Sequence, residues 1–231
     1  RQLVFGSEIK AVLAHPDVDR AGDRSALFDY FTYSCIPAPK TAYRGIRKLL
    51  PGHMLTMENG TCSITQYWDV PAGRASARHD EREVVEEVRR SIADAVHAYM
   101  TSDVPIGSLL SGGIDSSYVT ALMAAAAPGL ETFSMGFDTP DRDERPFAAM
   151  VAERFGTRHH AVQIDGTLVP DLPARMLDIY DEPYADGSAV PTWRLAPAAS
   201  QPGKVVLSGD GGAEVFGGDN PNPRWLAAHA P

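Results

Sequence analysis

The stretch Leu109 to Ser117, LLSGGIDSS, decides the fold. It closes a short apolar run, Ile106 to Leu110, and opens a helical pattern from Ser116 to Ala126, so it reads as the turn from a strand into a helix. Downstream the alternation repeats: a strand over Thr132 to Gly136, a helix over Asp143 to Phe155 and a strand over His160 to Ile164. Helices near Leu168 to Tyr180 and Thr192 to Ala199 then lead to a strand over Lys204 to Leu207, followed by a second glycine-rich turn. Upstream, Val84, Val85, Val88, Ile92, Val96 and Tyr99 recur at helical spacing, and Asp80 with Glu83 has the spacing of a capping box. Alternating strands and helices with short connections predict an α/β fold, a parallel sheet covered by helices on both faces.

The first 70 residues have another character. Leu3 to Phe5 is apolar and strand-like, and Ser7 to Ala14 and Leu27 to Phe31 are amphipathic. Turn signals follow at IPAPK (Ile36 to Lys40), LPGH (Leu50 to His53) and ENG (Glu58 to Gly60). They bracket the alternating runs HMLTM and TCSITQYW, which predict paired strands at the edge of a β-rich domain. The small, polar VPAGRASA at Val70 to Ala77 reads as a linker. The expected division is 1–70, a linker at 71–79, and 80–231.

Composition narrows the function. The 231 residues are 44% hydrophobic and 22% charged, which is ordinary for a globular protein and excludes disorder or a fibre. The net charge of −9 opposes a phosphate backbone, so no nucleic-acid partner is expected. The apolar run at Ala121 to Ala127 falls far short of the roughly 20 residues that span a bilayer, so no membrane role is expected. Two cysteines, Cys35 and Cys62, are too few for a disulfide framework and lack C-x-x-C spacing, usage that suits the cytoplasm. The opening RQLVFGSEIK has neither an initiator Met nor an apolar signal segment, and a trimmed piece of a longer protein is the expectation.

The loop after the first strand of the α/β region carries the chemistry. Ligands of a parallel sheet sit at the carboxyl ends of its strands, and a helix N-terminus offers N–H groups and partial positive charge to an anion. Gly112 and Gly113 let the backbone approach a phosphate, and Ser111, Ser116 and Ser117 add hydroxyls. The Walker pattern G-x-x-x-x-G-K-[ST] is absent. Asp115 would repel phosphate unless a divalent cation lay between them, which implies Mg²⁺. The competing reading is a glycine-serine turn in which Asp115 merely caps the helix.

At Ser111 to Ser116 the chain resembles the PP-loop ATP pyrophosphatases, whose signature is S-G-G-x-D-S. Ser208 to Gly218, SGDGGAEVFGG, is similar to the second glycine segment of the glutamine-hydrolysing asparagine synthetases. FSMGF, DERPFA, GTRHH and DEPYADGSAVPT agree with bacterial members, and FGSEIKAVL, IPAPKTAYRGIRKLLPGH and YWDV resemble the end of that family's glutaminase domain. The resemblance implies that residues 1–70 are the C-terminal part of a glutaminase domain of the N-terminal nucleophile type and 80–231 a truncated ATP-binding synthetase domain. It also implies a reaction in which a carboxylate, of aspartate or an analogue, attacks the α-phosphate of ATP and ammonia from glutamine displaces AMP. Carried over by position, Leu109 and Met135 would line the adenine pocket, Ser208 and Gly209 would touch the nucleotide, Asp115 would hold Mg²⁺, and Asp115, Asp210 and Glu214 are the catalytic candidates.

Two departures stand out. Ala213 occupies a position where the family pattern has aspartate, and Asp219-Asn220-Pro221-Asn222-Pro223 follows where an aromatic residue is common. No N-terminal cysteine is present, and Cys35 and Cys62, expected inside helix or strand patterns, read as inert, so the fragment is expected to be inactive by itself. Uncovered apolar surface on the glutaminase remnant would favour a homodimer. The alternatives are another PP-loop ATP pyrophosphatase, or a nucleotide-binding protein without catalysis. His159 and His160, adjacent on a strand, should point to opposite faces and not share a metal. Trp68, Trp193 and Trp225 read as packing residues, Asp80 to Glu87 as a solvated helix face, and Asp181, Glu182 and Asp186 either as substrate-side acids or as turn formers.

Overall fold

A computed structural model of the chain describes residues 2–71, 80–137, 143–164, 171–200 and 205–216. Residues 72–79 of the expected 71–79 linker, the helix start at 168–170, Lys204, and the run from Gly217 through Trp225 lie outside the described residues. In chain order the elements are α1 (Ile9–Leu13), α2 (Arg24–Tyr33), β1 (His53–Glu58), β2 (Thr61–Gln66), α3 (Glu81–Tyr99), β3 (Ile106–Leu109) and α4 (Ile114–Ala126). They continue with β4 (Glu131–Phe137), α5 (Arg145–Phe155), β5 (Arg158–Ile164), α6 (Leu172–Tyr180), α7 (Ala189–Ser200), β6 (Val205–Leu207) and α8 (Gly212–Phe216). Contacts divide the chain into two units, one of residues 1–77 with 168–190 and the other of 78–167 with 191–231.

The second unit is built on a four-stranded sheet in the order β5-β4-β3-β6, every pair parallel. The chain leaves β3, steps outward through β4 and β5, then returns to the other side of β3 with β6. The topological switch point therefore falls between β3 and β6, where an open α/β sheet has its crevice. Alternation along β3 and β4 sends side chains to opposite faces. On one face Val96 of α3, Met123 of α4 and Leu130 form a buried cluster that also takes Ile106 and Leu207. Leu110 joins Ala148 and Ala152 of α5. On the other, Phe133 packs with Leu195 and Ala199 of α7, joined by Leu109, Met135, Val162 and Val206. Helices thus cover both faces, as the sequence predicts. Phe133, Leu110 and Met123 are fully buried, each worth roughly 1.5–3 kcal/mol of apolar transfer.

Local chemistry explains the element ends. Asp80 caps α3 by accepting from the Arg82 N–H at 3.1 Å, the second helical N–H rather than the third that the expected capping box would use, and Glu81 and Glu83 add negative charge to the first turn. Gly156 ends α5 in the left-handed conformation, φ 65°. The buried hydroxyls of Ser108 on β3 and Thr120 on α4 satisfy each other at 2.8 Å, so this strand and helix join without an orphaned polar group.

In the first unit β1 and β2 form an antiparallel hairpin with Glu58 opposite Thr61. Asn59 and Gly60 both have positive φ, 51° and 77°, as a two-residue turn with the hairpin's twist requires. Asp23 caps α2 by accepting from Ser25 N at 2.9 Å and Ala26 N at 3.3 Å, and Ser34 ends it at φ 61°. Thr41, buried, bonds through Oγ1 with the carbonyls of Tyr43 and Ile46 at 3.0 Å each. Leu3 to Phe5 forms no strand, because no ladder partner meets it among the described residues. Cys62 lies in β2 as expected, whereas Cys35 falls just past the end of α2; both thiols are free.

Among the described residues no helix is long and apolar enough to cross a membrane.

Candidate functional site

β3 ends at Leu109, and Leu110 N still donates to the carbonyl of Phe133 at 2.8 Å, carrying the ladder one residue past the strand. The chain then turns through Ser111, Gly112 and Gly113 into α4. Gly112 takes φ +89°, and a Cβ there would lie 2.6 Å from Ala148 N and from the Cβ of Phe147 at the start of α5. Glycine is required twice over at this position, by conformation and by the close approach of α5.

The serines shape the loop. Ser111 Oγ bonds Ser116 Oγ at 2.9 Å, Ser116 Oγ donates to Gly113 O at 3.3 Å, and Gly113 N donates to Ser111 Oγ at 3.3 Å. The Ser111 and Ser116 hydroxyls, expected as phosphate donors, are thus engaged within the loop. The groups left for an anion are the backbone N–H groups of the first turn of α4, whose intrahelical partners do not exist. Ser117 differs: its Oγ is buried and has no hydrogen-bond partner among the described residues. The N-cap is Gly113, so Asp115 is a first-turn acid rather than the cap.

The second glycine loop lies against the first. β6 pairs with β3 through Ile106–Val205, Gly107–Val206 and Ser108–Leu207, which brings Ser208 to Gly212 beside the start of α4. A Cβ at Gly209 would be 2.6 Å from Ser116 N and 2.9 Å from the carbonyl carbon of Asp115. At Gly212 it would be 2.6 Å from Asp115 Cγ. Ser208 Oγ donates to Asp210 Oδ2 at 2.8 Å, fixing that exposed carboxylate over its own loop. Asp115 is exposed, and no lysine or arginine pairs with it among the described residues. Ala213 is half-buried and Glu214 exposed, both on the single turn of α8. Leu109 and Met135 share the sheet face that carries Phe133 and α7, half-buried at neighbouring strands.

Other residues singled out from sequence resolve into structure. His159 bonds Thr132 Oγ1 at 3.0 Å and Ser134 Oγ at 3.1 Å. His160 points to the opposite face, stacked on Phe133 with centroids 5.1 Å apart and paired with Glu131. Burial, with the neighbouring His160, holds the His159 imidazole below its ordinary pKa. Asp181 meets Lys10 at 3.2 Å, Glu182 pairs with Lys48 and accepts from Ala42 N at 3.2 Å, and Asp186 accepts from Ser188 N at 2.7 Å. All three acids are engaged within the first unit, as turn and anchor groups. Among the described residues no group of three or more His, Cys, Asp or Glu could hold a metal ion. The run of glycines signals a close approach of Ser208 to Gly212 to the first loop, but no sequence pattern names the atoms of α4 that Gly209 and Gly212 meet.

An all-parallel sheet with its S-G-G-x-D-S loop at the switch point defines the class, an α/β fold of the PP-loop kind. The chain belongs to the asparagine synthase family, whose model matches residues 87–230, and a glutamine amidotransferase domain model matches residues 1–68. A Methanocaldococcus jannaschii protein named for glutamine-hydrolysing asparagine synthetase is 35% identical over 223 residues, covering 94% of this chain and 43% of that protein. Asparagine synthetase 1 of Bacillus subtilis is 34% identical over 221 residues, covering 95% of this chain and 34% of that protein. The chain thus spans less than half the length of these relatives. Among solved structures, an NH3-dependent NAD synthetase from Campylobacter jejuni aligns with 62% of each chain at 14% identity and TM-score 0.38, a likeness from which nothing about the site follows.

Proposed function

We propose that residues 80–231 are an ATP-binding synthetase domain that activates a carboxylate, of aspartate or an analogue, as an acyl-adenylate, for attack by ammonia released from glutamine. Residues 1–70 are the C-terminal part of the glutaminase domain that supplies the ammonia, with 71–79 between them. The observation that carries this reading is the seating of the second glycine loop on the first turn of α4, at the ends of the adjacent strands β3 and β6. Two backbone loops converging there suit one nucleotide.

Leu109 and Met135 line the adenine side, Ser208 and Gly209 contact the nucleotide, and the loop of Ser111 to Gly113 with Ser116 and Ser117 meets the phosphates through its backbone N–H groups. Asp210 and Glu214 are the further acids of the site. Asp115 suits Mg²⁺: it is an exposed carboxylate at the anion-binding end of a helix, and Mg²⁺ takes one or two carboxylates and fills its octahedron with water and phosphate oxygens. Bound there, Mg²⁺ supplies charge that stabilises the departing pyrophosphate. The backbone N–H groups of α4 do the same by fixed dipoles. The net charge of −9 disfavours a nucleic-acid partner, and the free, unpaired thiols suit a cytoplasmic setting.

A second reading, nucleotide binding without catalysis, is favoured by Ala213, which offers a methyl group on α8. In a protein that carries the complete synthetase domain, calorimetry with ATP, coupled to aspartate-dependent exchange of labelled pyrophosphate into ATP, separates the two. Binding with exchange supports the synthetase, binding without exchange selects the second reading, and absence of ATP binding overturns both.

A further inference from the structure

The first turn of α5, Arg145 to Ala148, bears on two glycines at the carboxyl ends of the sheet. A Cβ at Gly112 would lie 2.6 Å from Ala148 N and 2.7 Å from the carbonyl carbon of Phe147, so the loop after β3 rests on α5 backbone. A Cβ at Gly136, the last residue but one of β4, would fall within the Arg145 side chain, 2.6 Å from Cζ. Arg145 Nε and Nη2 donate to the two carboxylate oxygens of Asp143 at 2.7 and 2.8 Å. Its Nη1 donates to Gln163 Oε1 on β5, opposite Gly136 in the ladder. The bonds from Arg145 hold the Asp143 carboxyl below its ordinary pKa. Glu144, the N-cap residue, makes no side-chain cap bond, whereas Arg145 ties this end of α5 to β5. Pro146 stiffens the turn by fixing its own φ.

We propose that Arg145 is a positioning residue for the glycine loop: by pinning the first turn of α5 to the ends of β4 and β5, it holds the backbone on which Gly112 rests and so aims the loop's N–H groups at a nucleotide's phosphates. The inference rests on the placing of phosphates at that loop under the proposed function. The atoms that Gly112 meets belong to the α5 backbone, which cannot swing aside as a side chain does. A shift of that turn is therefore passed to the loop or opens a gap beneath it, and a close-packed interior resists both. The pin can be withdrawn in two independent ways. Arg145→Ala deletes it without adding atoms. Gly136→Ala keeps the guanidinium and displaces it, because the obstructed atoms are the end of a flexible side chain and Gly136 is not among the residues of positive φ. Arg145→Lys keeps the charge and loses the two-point fork. Arg154, exposed in the last turn of α5, offers a matched loss of charge at the other end of the helix.

The test measures affinity of the 231-residue chain for a non-hydrolysable ATP analogue with Mg²⁺ by calorimetry, well below the melting temperature, with adenosine as the phosphate-free control. Heteronuclear NMR of the ligand-free Gly112 and Gly113 amides and thermal melting accompany it. In Arg145→Ala and in Gly136→Ala both amide resonances are expected to move. Affinity for the analogue should fall roughly tenfold, the scale of one misaimed hydrogen bond to a charged group. The Gly136→Ala/Arg145→Ala double variant should bind no more weakly than Arg145→Ala. Arg145→Lys should fall with the alanine variant, and Arg154→Ala should bind as wild type does. A lower melting temperature with wild-type affinity in Arg145→Ala would confine the residue to stability and overturn the inference. Unmoved Gly112 and Gly113 resonances, additive losses in the double variant, full affinity in Arg145→Lys or an equal loss in Arg154→Ala overturns it too. Each of these outcomes leaves the placing of the phosphates standing. A wild-type chain that binds the analogue no better than adenosine overturns that placing, and the inference with it.

Discussion

Ala213 contributes a half-buried methyl on α8, between Gly212, which touches Asp115, and the exposed Glu214. One step along a helix turns about 100°, so Glu214 faces elsewhere and cannot stand in for a carboxylate at 213. In a protein that carries the complete synthetase domain, Ala213→Asp is expected to strengthen Mg²⁺ dependence and raise pyrophosphate exchange by up to ~10²-fold, the scale of one electrostatic stabiliser. Asp115→Asn should abolish exchange with either residue at 213. Unchanged exchange in Ala213→Asp would show that Asp210 or Glu214 already supplies the second acid. A separate residue-scale outcome concerns His159, whose imidazole both bonds Thr132 and Ser134 and sits below its ordinary pKa through burial. The folded state therefore binds the proton less readily than the unfolded chain, for which His titrates near about 6.5. This contribution to stability is complete above that value and is lost as pH falls from it through the lower folded-state pKa. Chemical denaturation at pH 7.5, 6.5 and 5.5 should show that loss in wild type and a flatter profile in His159→Gln.

At the scale of elements, the strands and helices of the second unit were legible because each is short, periodic and bounded by turn residues. The helix expected over Ser116 to Ala126 begins at Ile114, and the strand expected over His160 to Ile164 begins at Arg158, small shifts set by where the first hydrogen bonds close. The opposite facing of His159 and His160 followed from the two-residue period of a strand. The contact of Gly212 with Asp115 was not legible, because it depends on β6 returning beside β3 across about a hundred residues of chain. The roles of Ser111 and Ser116 were hidden for a related reason: composition reveals hydroxyls but not which neighbour they bond. What covers Phe133 was equally nonlocal, and it is the element on which the proposed nucleotide face depends. Leu195 of α7, 2% exposed, packs there with Ala199, beneath the same cluster that includes Leu109 and Met135. Leu195→Ala should cost about 2–5 kcal/mol, from lost transfer energy and the cavity left behind. Denaturant unfolding that shifts the midpoint at constant slope is the expected signature, and a cost under about 1 kcal/mol would mean that α7 collapses onto the sheet without penalty.

At the scale of the molecule, the first unit owes its assembly to pairs that no local pattern discloses. Lys10 N donates to Asp181 Oδ2 at 3.0 Å across 171 positions, and Lys48 pairs with Glu182 across 134, which ties the chain after α6 to its first fifty residues. That unit also leaves much apolar surface in water. On α2, Phe28 is 73% exposed and Phe31 83%, three residues apart and so on one side of the helix. Residues of β2 are exposed throughout, and Met54, Met57 and Ile64 stand out from the hairpin. A patch of this kind favours association, while the net charge of −9 repels like copies. Salt decides between them. At 0.15 M the Debye length is about 8 Å, so repulsion between exposed charges is largely screened, whereas burial of apolar area at about 25 cal/mol per Å² is not weakened. Sedimentation velocity on the 231-residue chain should therefore show concentration-dependent association that strengthens from 0.02 to about 0.3 M NaCl. Phe28→Ser/Phe31→Ser should return the distribution toward a monomer, with circular dichroism unchanged because neither ring is buried. Association that weakens with salt would point to ion pairs between copies, and a monomer at every concentration would show that the exposed rings contribute too little area to overcome the entropy of association.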